Sequence, residues 1–276
     1  MRVRISTITL TLIILYSTGC KKVYDYVDKN PHATCDACRI TEATVHYDPD
    51  PYDGLPTVLV IKHTFSYDAK GRLISVTAPF GIAGNYDRYY RYDNKDRLTD
   101  FMITFNEAKG VLVWHHYKYL SNKKILDSVL TYAGLITDPN PPYGKFPSGE
   151  YYNNITLDNF DRVVEIVNQQ VNYTTNFSYD KMGNLVLPNA VYDNKINPYR
   201  TSTSLQFTLW DYSANNAIAR PGDEDIVFPV ITKYNEYGLP VTYVKSVRSP
   251  LHLYALGLIY DTLDVKYDCD LSKIKY

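Results

Sequence analysis

One short pattern recurs along the chain and limits what it can fold into. An aromatic or aliphatic residue is followed two positions later by a second one, usually Tyr, and then by Asp or Asn. Gly or Asp stands three positions after that, and an apolar residue follows two positions further on. We call this unit the Tyr-Asp module; in chain order its copies are FSYDAKGRLISV (65–76), YRYDNKDRLTDF (90–101), the degenerate third copy YKYLSNKKILDSVL (117–130), ITLDNFDRVVEI (155–166), FSYDKMGNLVLP (177–188) and TKYNEYGLPVTY (232–243).

Each module predicts a β-hairpin. Residues two apart point to the same face of a strand, so the two leading side chains share one face. The short Asp side chain can accept hydrogen bonds from backbone amides two residues on and so open a turn. Gly and Asp tolerate the positive φ that ends a type I turn with a G1 bulge. The residues assigned to these turns are Asp68, Gly71, Asp93, Asp96, Asp158, Asp161, Asp180, Gly183 and Gly238.

Composition and module order together predict an all-β fold. Tyr, with 28 copies among 276 residues, favours strands because its ring packs across the pleated surface while its hydroxyl stays wet. Consecutive hairpins give a curved antiparallel meander of about ten to twelve strands with little helix. We expect residues 201–222 to pack over one side, 137–151 to form a surface loop, and any helix to be short, within 211–219 or around 250–257.

The N-terminus has the features of an exported protein. Arg2 and Arg4 precede an apolar run at 5–16 that is too short to cross a bilayer as a mature helix, which is typical of a secretory signal peptide. The STGC string that ends at Cys20 resembles a bacterial lipoprotein lipobox, which implies cleavage after Gly19 and a lipid on Cys20. An ordinary signal peptide with an incidental cysteine is the alternative. The predicted parts are a signal peptide (1–19), a tether (20–37) and a β domain (38–276).

Three further cysteines are Cys35, Cys38 and Cys269. Cysteines tend to pair in an oxidising compartment, and two pairings are open: Cys35 with Cys38, or one of these two with Cys269, which would join the first strand to the last. Free thiols are a further alternative, as is a metal site that recruits His32, although no second CxxC supports it. A thioredoxin-like redox motif would need a βαβ context that the sequence lacks.

The modules resemble YD repeats, the Tyr-Asp units of the Rhs family and of many small lipoproteins of Bacteroidetes. The string YDNKINPY (192–199) resembles a signature of those lipoproteins, including the DUF4595-type domains of unknown function. SANNAI (213–218) and YNEYGLPVTY (234–243) follow in the same order there. The resemblance implies an outer-membrane lipoprotein of the cell envelope. Because only Asp25 and Asp28 closely follow the lipidated cysteine, the signal for surface export is weak and the periplasmic face is favoured.

No motif with the spacing of a catalytic or cofactor site occurs, so we expect no enzymatic activity, no cofactor and no metal. The sequence contains no GxSxG, HExxH, Walker A, GxGxxG or EF-hand string. His115 and His116 are adjacent, so in a strand they point to opposite faces and cannot share a metal. A net charge of −1 gives no electrostatic attraction to nucleic acid. Arg72, Arg97 and Arg162 are interpreted as cations that cover neighbouring Tyr rings.

These features predict a non-enzymatic binding or scaffold module that is tethered to the membrane through Cys20. Its partner would be a glycan or an envelope protein. Exposed aromatic side chains on a sheet can stack on sugar rings, and cross-strand packing is the other interpretation of such residues. The alternative function is a glycan-binding accessory protein of a polysaccharide-uptake system. The candidates for an aromatic platform are Trp114, Trp210, Tyr89 and Tyr90.

Overall fold

The described part of the protein consists mostly of β-strands, as the modules predict. A computed structural model describes residues 35, 37–47, 59–79, 86–105, 110–132, 148–187, 190–219, 230–244 and 253–270. The strands in these ranges are β1 (Cys38–Tyr47), β2 (Leu59–Tyr67), β3 (Leu73–Thr77), β4 (Asp87–Tyr92), β5 (Leu98–Phe105), β6 (Gly110–Tyr119), β7 (Lys124–Thr131), β8 (Gly149–Leu157), β9 (Val163–Asn168), β10 (Tyr173–Asn176), β11 (Val191–Ile196), β12 (Asn215–Ala219), β13 (Val230–Tyr234), β14 (Pro240–Val244), β15 (Leu253–Ala255), β16 (Leu258–Tyr260) and β17 (Thr262–Cys269). The helical elements there are a 3-10 turn (Pro198–Thr201) and helix α1 (Thr203–Leu209).

Thirteen of the strands form one open antiparallel sheet, in the order β10-β9-β8-β7-β6-β5-β4-β3-β2-β1-β17-β14-β13. Strands β1 to β10 are neighbours in space in the same order as in the sequence, which is what a run of hairpins produces. The chain then returns and lays β17 antiparallel to β1. Two small two-stranded sheets lie outside this sheet: β11 with β12, which are joined through the 3-10 turn and α1, and the hairpin β15–β16. The all-β antiparallel meander predicted from the sequence is therefore confirmed.

Asp side chains hold the module turns. Asp68 Oδ1 accepts hydrogen bonds from the backbone amides of Lys70 and Arg72, both at 2.9 Å. The Asp68 amide donates to the Arg72 carbonyl at 3.0 Å, and Gly71 closes the turn at a φ of 82°. The same side-chain bonds recur at Asp93, Asp158, Asp180 and Asn235. The same positive φ recurs at Asp96, Asp161, Gly183 and Gly238.

A one-residue bulge accompanies the complete module turns. The strand register shifts between Ser66 and Tyr67 in the first module, and the equivalent shift occurs in the second and fourth modules. A register shift beside a residue of positive φ is the G1 bulge that the module predicts. The degenerate third hairpin, β6–β7, keeps an even register from Val113 to Tyr119. The third module therefore differs from its neighbours in geometry as well as in sequence.

One face of the sheet is covered by the segment that contains α1 and by hairpin β15–β16. Leu205 of α1 belongs to the same buried cluster as Phe101 and Ile155 of the sheet. The rings of Tyr117 and Phe207 lie 5.0 Å apart, edge to face, and so join β6 to α1. This covering layer contains residues 201–219 of the segment 201–222 that the sequence places over one side. The main hydrophobic core lies between it and the sheet.

Helix α1 lies outside both ranges predicted for a helix, 211–219 and around 250–257, so that prediction is wrong. Ser202 caps the N-terminus, because its Oγ accepts from the Leu205 amide at 3.4 Å. Trp210 ends the helix in the left-handed conformation, at a φ of 54°. Within the described parts of the two predicted ranges, backbone pairing forms β12 and β15 instead. None of the helical elements in the described ranges has the length and hydropathy needed to cross a bilayer.

Two parts of the sequence prediction fall partly or wholly outside the described residues. The signal peptide at 1–19 and Cys20 do so completely. So does most of the predicted surface loop at 137–151, of which the described end begins β8 at Gly149. The end of the predicted tether at 20–37 is described, and Cys35 and Ala37 are buried there. The folded domain thus begins before the predicted boundary at residue 38.

A disulfide joins the first strand of the sheet to the last strand of the chain. Cys38 on β1 is bonded to Cys269 on β17, and the two residues are register partners. Of the pairings that the sequence leaves open, the structure therefore contains a bond to Cys269, made by Cys38. Cys35 is buried beside this bond, in a cluster with Ile196 and Leu239.

Replacing Cys38 by Ser should lower the free energy of unfolding by about 3–5 kcal/mol, because the bond removes loop-closure entropy from the unfolded chain. The sequence separation it spans is 231 residues. Urea unfolding of the full chain without reductant measures the change. Reductant should cause a similar loss in the wild type and none in Cys38→Ser, while Cys35→Ala keeps the bond and serves as control. Equal stability of Cys38→Ser and wild type would contradict this assignment.

Candidate functional site

Successive modules are fastened together by a cation over an aromatic ring. The guanidinium carbon of Arg162 in the fourth module lies 3.9 Å from the centre of the Tyr179 ring in the fifth. Its Nε and one Nη donate to Asp158 Oδ2 of its own turn, at 2.9 and 2.7 Å. We call this contact between the Arg of one module and the Tyr of the next a junction. The two other complete junctions are Arg72 over Tyr92 at 4.5 Å and Arg97 over Tyr119 at 4.2 Å.

The tyrosine hydroxyl completes each junction. Tyr179 donates to the Val163 carbonyl at 2.9 Å, directly after the stacking arginine. Tyr92 and Tyr119 make the equivalent bonds, to the Leu73 and Leu98 carbonyls at 2.6 and 3.0 Å. Burial raises the pKa of both Tyr92 and Tyr119 to about 12, so these hydroxyls keep their protons and remain donors. A complete junction therefore contains a ring, a cation and a hydroxyl bond to the preceding hairpin.

Among the modules that follow one another along the sheet, the pair formed by the third and fourth lacks all three parts. Between the third and fourth modules, Leu157 stands in the place of the tyrosine and Lys124 in the place of the arginine. Lys124 Nζ donates to Thr156 Oγ1 at 2.8 Å, so its charge does not lie over a ring at this position. The neighbouring Lys123 bridges to the fourth turn instead, through the Asp158 carbonyl at 2.6 Å and Asp161 at 2.8 Å. We call this position the broken junction.

A cavity of about 820 Å³ opens beside the broken junction, between the sheet and α1, and extends to the complete junction of Arg97 and Tyr119. Leu98, Ile125 and Leu157 line it from the sheet. Gln206 and Phe207 line it from α1, together with Thr203 and Ser204. Its volume lies within the range of roughly 300–1,000 Å³ that is usual for small-molecule sites.

The charged residues that line this cavity are already paired. Asp96 contacts Lys70 at 2.6 Å and Arg72 at 2.7 Å. Arg97 is held by the carboxylate of its own turn at 2.6 Å, and Lys123 is held by Asp161. The lining therefore offers no unpaired charge to a ligand.

Gln206 is the most distinctive polar residue in the lining. The residue is 6% exposed as a whole, and it lines the cavity from α1. Across the part of the chain that the structure describes, its carboxamide has no hydrogen-bond partner. The neighbouring Ser204 is engaged, because its hydroxyl lies 2.6 Å from the Tyr92 hydroxyl. Its side-chain oxygen and nitrogen are not among the fully buried polar atoms that lack a partner, so the amide is open to the cavity and can bond to a ligand.

The four residues of the predicted aromatic platform are not brought together. Tyr90 is 3% exposed in the main core. Its chain neighbour Tyr89 points to the opposite face and packs with Trp114, which is 8% exposed and donates from Nε1 to Asp100 at 2.9 Å. Trp210 is 39% exposed and packs on the Phe177 ring at 6.2 Å. Cross-strand packing explains Tyr89, Tyr90 and Trp114, and they form no shared surface with Trp210.

The adjacent histidines point to opposite faces, as a strand requires. His115 Nδ1 lies 3.1 Å from the buried Asp127 carboxylate. His116 Nδ1 lies 2.9 Å from Asp100 on the other face. Within the described ranges, no group of three or more His, Cys, Asp or Glu residues is placed to hold a metal ion.

Sequence reasoning missed the residues that define the cavity. Leu157 carried a readable signal, since it is the one leading-pair position before an Asp turn where Leu replaces Tyr. Gln206 carried none, because its role depends on α1 packing over strands that lie far away in the sequence.

Comparison with known proteins identifies no family for this chain. No family model matches it, and no curated protein matches it. Among solved structures, it is similar to a porin-like protein from Bacteroides uniformis ATCC 8492, with 14% sequence identity and a TM-score of 0.31, over 86% of this chain and 99% of that chain. A similarity this low says nothing about fold or function, and the likeness to YD-repeat lipoproteins remains a prediction.

His63 should make the protein less stable in acid. It is fully buried on β2, and neither ring nitrogen has a hydrogen-bond partner within the described residues. Burial and, secondarily, the charge of Arg88 lower its pKa to about 4. Protonation is therefore more favourable in the unfolded chain, whose histidine titrates near pH 6.5. Titration of His63 therefore leaves the free energy of unfolding unchanged above about pH 6.5. Below that pH it lowers the free energy of unfolding by up to about 1.4 kcal/mol per pH unit, down to about pH 4.

Urea unfolding at a series of pH values, with His63→Leu as the comparison, measures this effect. The variant should lose less stability than the wild type between pH 6.5 and 4, because it removes only the histidine titration and leaves the turn carboxylates unchanged. Parallel pH profiles for the two proteins would show that His63 does not contribute.

Proposed function

We propose that the protein is a non-enzymatic binding module, tethered to the cell envelope, whose ligand site is the cavity at the broken junction. The observation that carries this proposal is the position of the cavity. The complete junction of Arg97 and Tyr119 bounds the cavity on one side, and there a ring and a cation occupy the space between hairpins. At the broken junction, Leu157 replaces the ring and lines a cavity that α1 covers.

The lining supports binding rather than bond-breaking chemistry. It contains no histidine or cysteine, and its carboxylates are held in ion pairs or module turns. The neutral amide of Gln206, which has no hydrogen-bond partner within the described residues, opens into the cavity. Such a lining can orient a small molecule through hydrogen bonds and apolar contact.

The location in the envelope is proposed from the N-terminal sequence. The basic and apolar residues of 1–19 and the lipobox-like string at Cys20 support a lipid anchor, with the domain on the periplasmic face of the outer membrane. The described residues begin at Cys35, which is buried, and 14 residues of sequence lie between it and the proposed lipid on Cys20.

The alternative, a glycan-binding accessory protein, no longer has a surface platform to support it. Tyr90 and Trp114 are buried and are not free to stack on a polysaccharide. A saccharide would have to enter the cavity, which is a different geometry from the one that the sequence predicts.

Leu157→Tyr should abolish ligand binding without unfolding the protein. A tyrosine at this position restores the module sequence and places a ring and a hydroxyl in the cavity. We expect stability to be unchanged or raised by about 1 kcal/mol, as for filling a cavity next to a carbonyl acceptor. A thermal-shift screen of a metabolite library with wild type and variant measures both properties.

Tyr67→Leu is the matched control for this substitution. Tyr67 donates to the Ile40 carbonyl at 2.8 Å and lies under Arg39, and it does not line the cavity. Its replacement should cost about 2–3 kcal/mol through the lost ring contact and hydroxyl bond, and leave binding intact. If every ligand of the wild type bound Leu157→Tyr equally well, the cavity would not be the site.

A further inference from the structure

We infer that the ligand of the cavity is a neutral saccharide, an inference that rests on the proposed function. The cavity combines three features that recognise a sugar ring: aromatic walls, an amide with no protein partner within the described residues, and charges that are already held in ion pairs. Each feature excludes a different class of ligand.

The aromatic walls favour a ring with an apolar face. Tyr92, Tyr119, Phe160, Phe207 and Tyr212 all line the cavity. Aromatic faces pack well against the C–H face of a pyranose, which is apolar although its edge carries hydroxyl groups. A purely aliphatic ligand would fit these walls but would leave the polar groups of the cavity unpaired.

The polar groups match hydroxyls. Gln206 presents one carbonyl acceptor and an amide with two donor hydrogens, a set that can pair with neighbouring hydroxyl groups acting as donor and acceptor. Asn122 at the third turn and Thr203 at the start of α1 add further neutral groups to the lining. A ligand without hydroxyls or similar groups would displace water from the Gln206 amide without replacing its hydrogen bonds, which is unfavourable.

The charges favour a neutral ligand. Asp96, Arg97, Lys123 and Asp161 are all held in ion pairs at 2.6 to 2.8 Å. An anionic or cationic ligand would have to compete with one of these partners. A neutral saccharide can enter without disturbing them.

The complete junctions show which hydrogen bond a sugar ring could make at the broken junction. In each of them a ring hydroxyl donates to the carbonyl of the residue after the stacking cation, as Tyr119 does to Leu98. The equivalent residue at the broken junction is Ile125, which lines the cavity, while Leu157 has no hydroxyl. A sugar hydroxyl can supply the donor that the side chain at position 157 lacks.

The test uses the full chain in a detergent without a sugar headgroup. An array of neutral and acidic saccharides, with phenolic and fatty-acid compounds as comparison, is followed by calorimetry of each hit. A neutral saccharide should bind the wild type, bind Gln206→Leu about tenfold more weakly, and not bind Leu157→Tyr. Because Gln206 has no protein partner in the described residues, Gln206→Leu should unfold at the same urea concentration as the wild type.

The other outcomes separate this inference from the proposed function. If the ligand that Leu157→Tyr loses is an acidic saccharide, a phenol or a fatty acid, the neutral-saccharide assignment is overturned and the cavity remains the site. If a neutral saccharide binds Gln206→Leu as tightly as the wild type, the recognition argued here is also overturned. If Leu157→Tyr loses no ligand of any class, both the inference and the proposed function fail.

Discussion

The rest of the structure depends on the contact between the guanidinium group of a module arginine and the tyrosine ring of the next module. Arg162 is held by Asp158 of its own turn and lies 3.9 Å from the ring centre of Tyr179 in the next module. An exposed ion pair by itself contributes little, typically below about 1 kcal/mol. Here the same cation also covers a ring, and a desolvated contact of that kind contributes up to about 2 kcal/mol. One side chain thereby fixes its own turn and ties it to the following hairpin.

This coupling explains why the modules form a meander. A single hairpin is marginal in water, and each one gains stability from the strand beside it. The junctions lie along the turn edge of the sheet, where backbone pairing ends and hairpins would otherwise splay. Where a junction is broken, Lys123 bridges the two turns and α1 covers the gap. The sheet thus stays continuous while a cavity opens beneath the helix. The replacement of tyrosine by Leu157 in the repeat is therefore the basis of both the proposed site and its proposed ligand.

Local chemistry made the hairpins predictable. Asp68 and Gly71 act within a few residues of each other, so their spacing alone indicates the turn and its bulge. The stacking of arginine on a neighbouring ring was also predictable, since successive modules must lie side by side. The disulfide partner of Cys269 stayed open because Cys35 and Cys38 are equally close to the first strand in the sequence.

Long-range packing decided what the sequence did not reveal. Alternation places Tyr89 and Tyr90 on opposite faces, but which face is buried depends on a covering layer more than a hundred positions later in the chain. The sequence prediction put the helix too far along the chain, because the helix starts at the Ser202 cap. Residues that follow Trp210 pair as β12 instead. The importance of Gln206 appears only when α1 lies against the sheet.

A double-mutant cycle between Arg162 and Tyr179 tests the central claim most directly. The four proteins are the wild type, Arg162→Met, Tyr179→Leu and the double variant, and urea unfolding gives the free energy of each. If the cation and the ring stabilise one another, the double variant should lose less stability than the sum of the two single losses, by about 1 kcal/mol or more. Additive losses, within about 0.3 kcal/mol, would show that each residue acts only within its own hairpin and that the modules are not joined in this way.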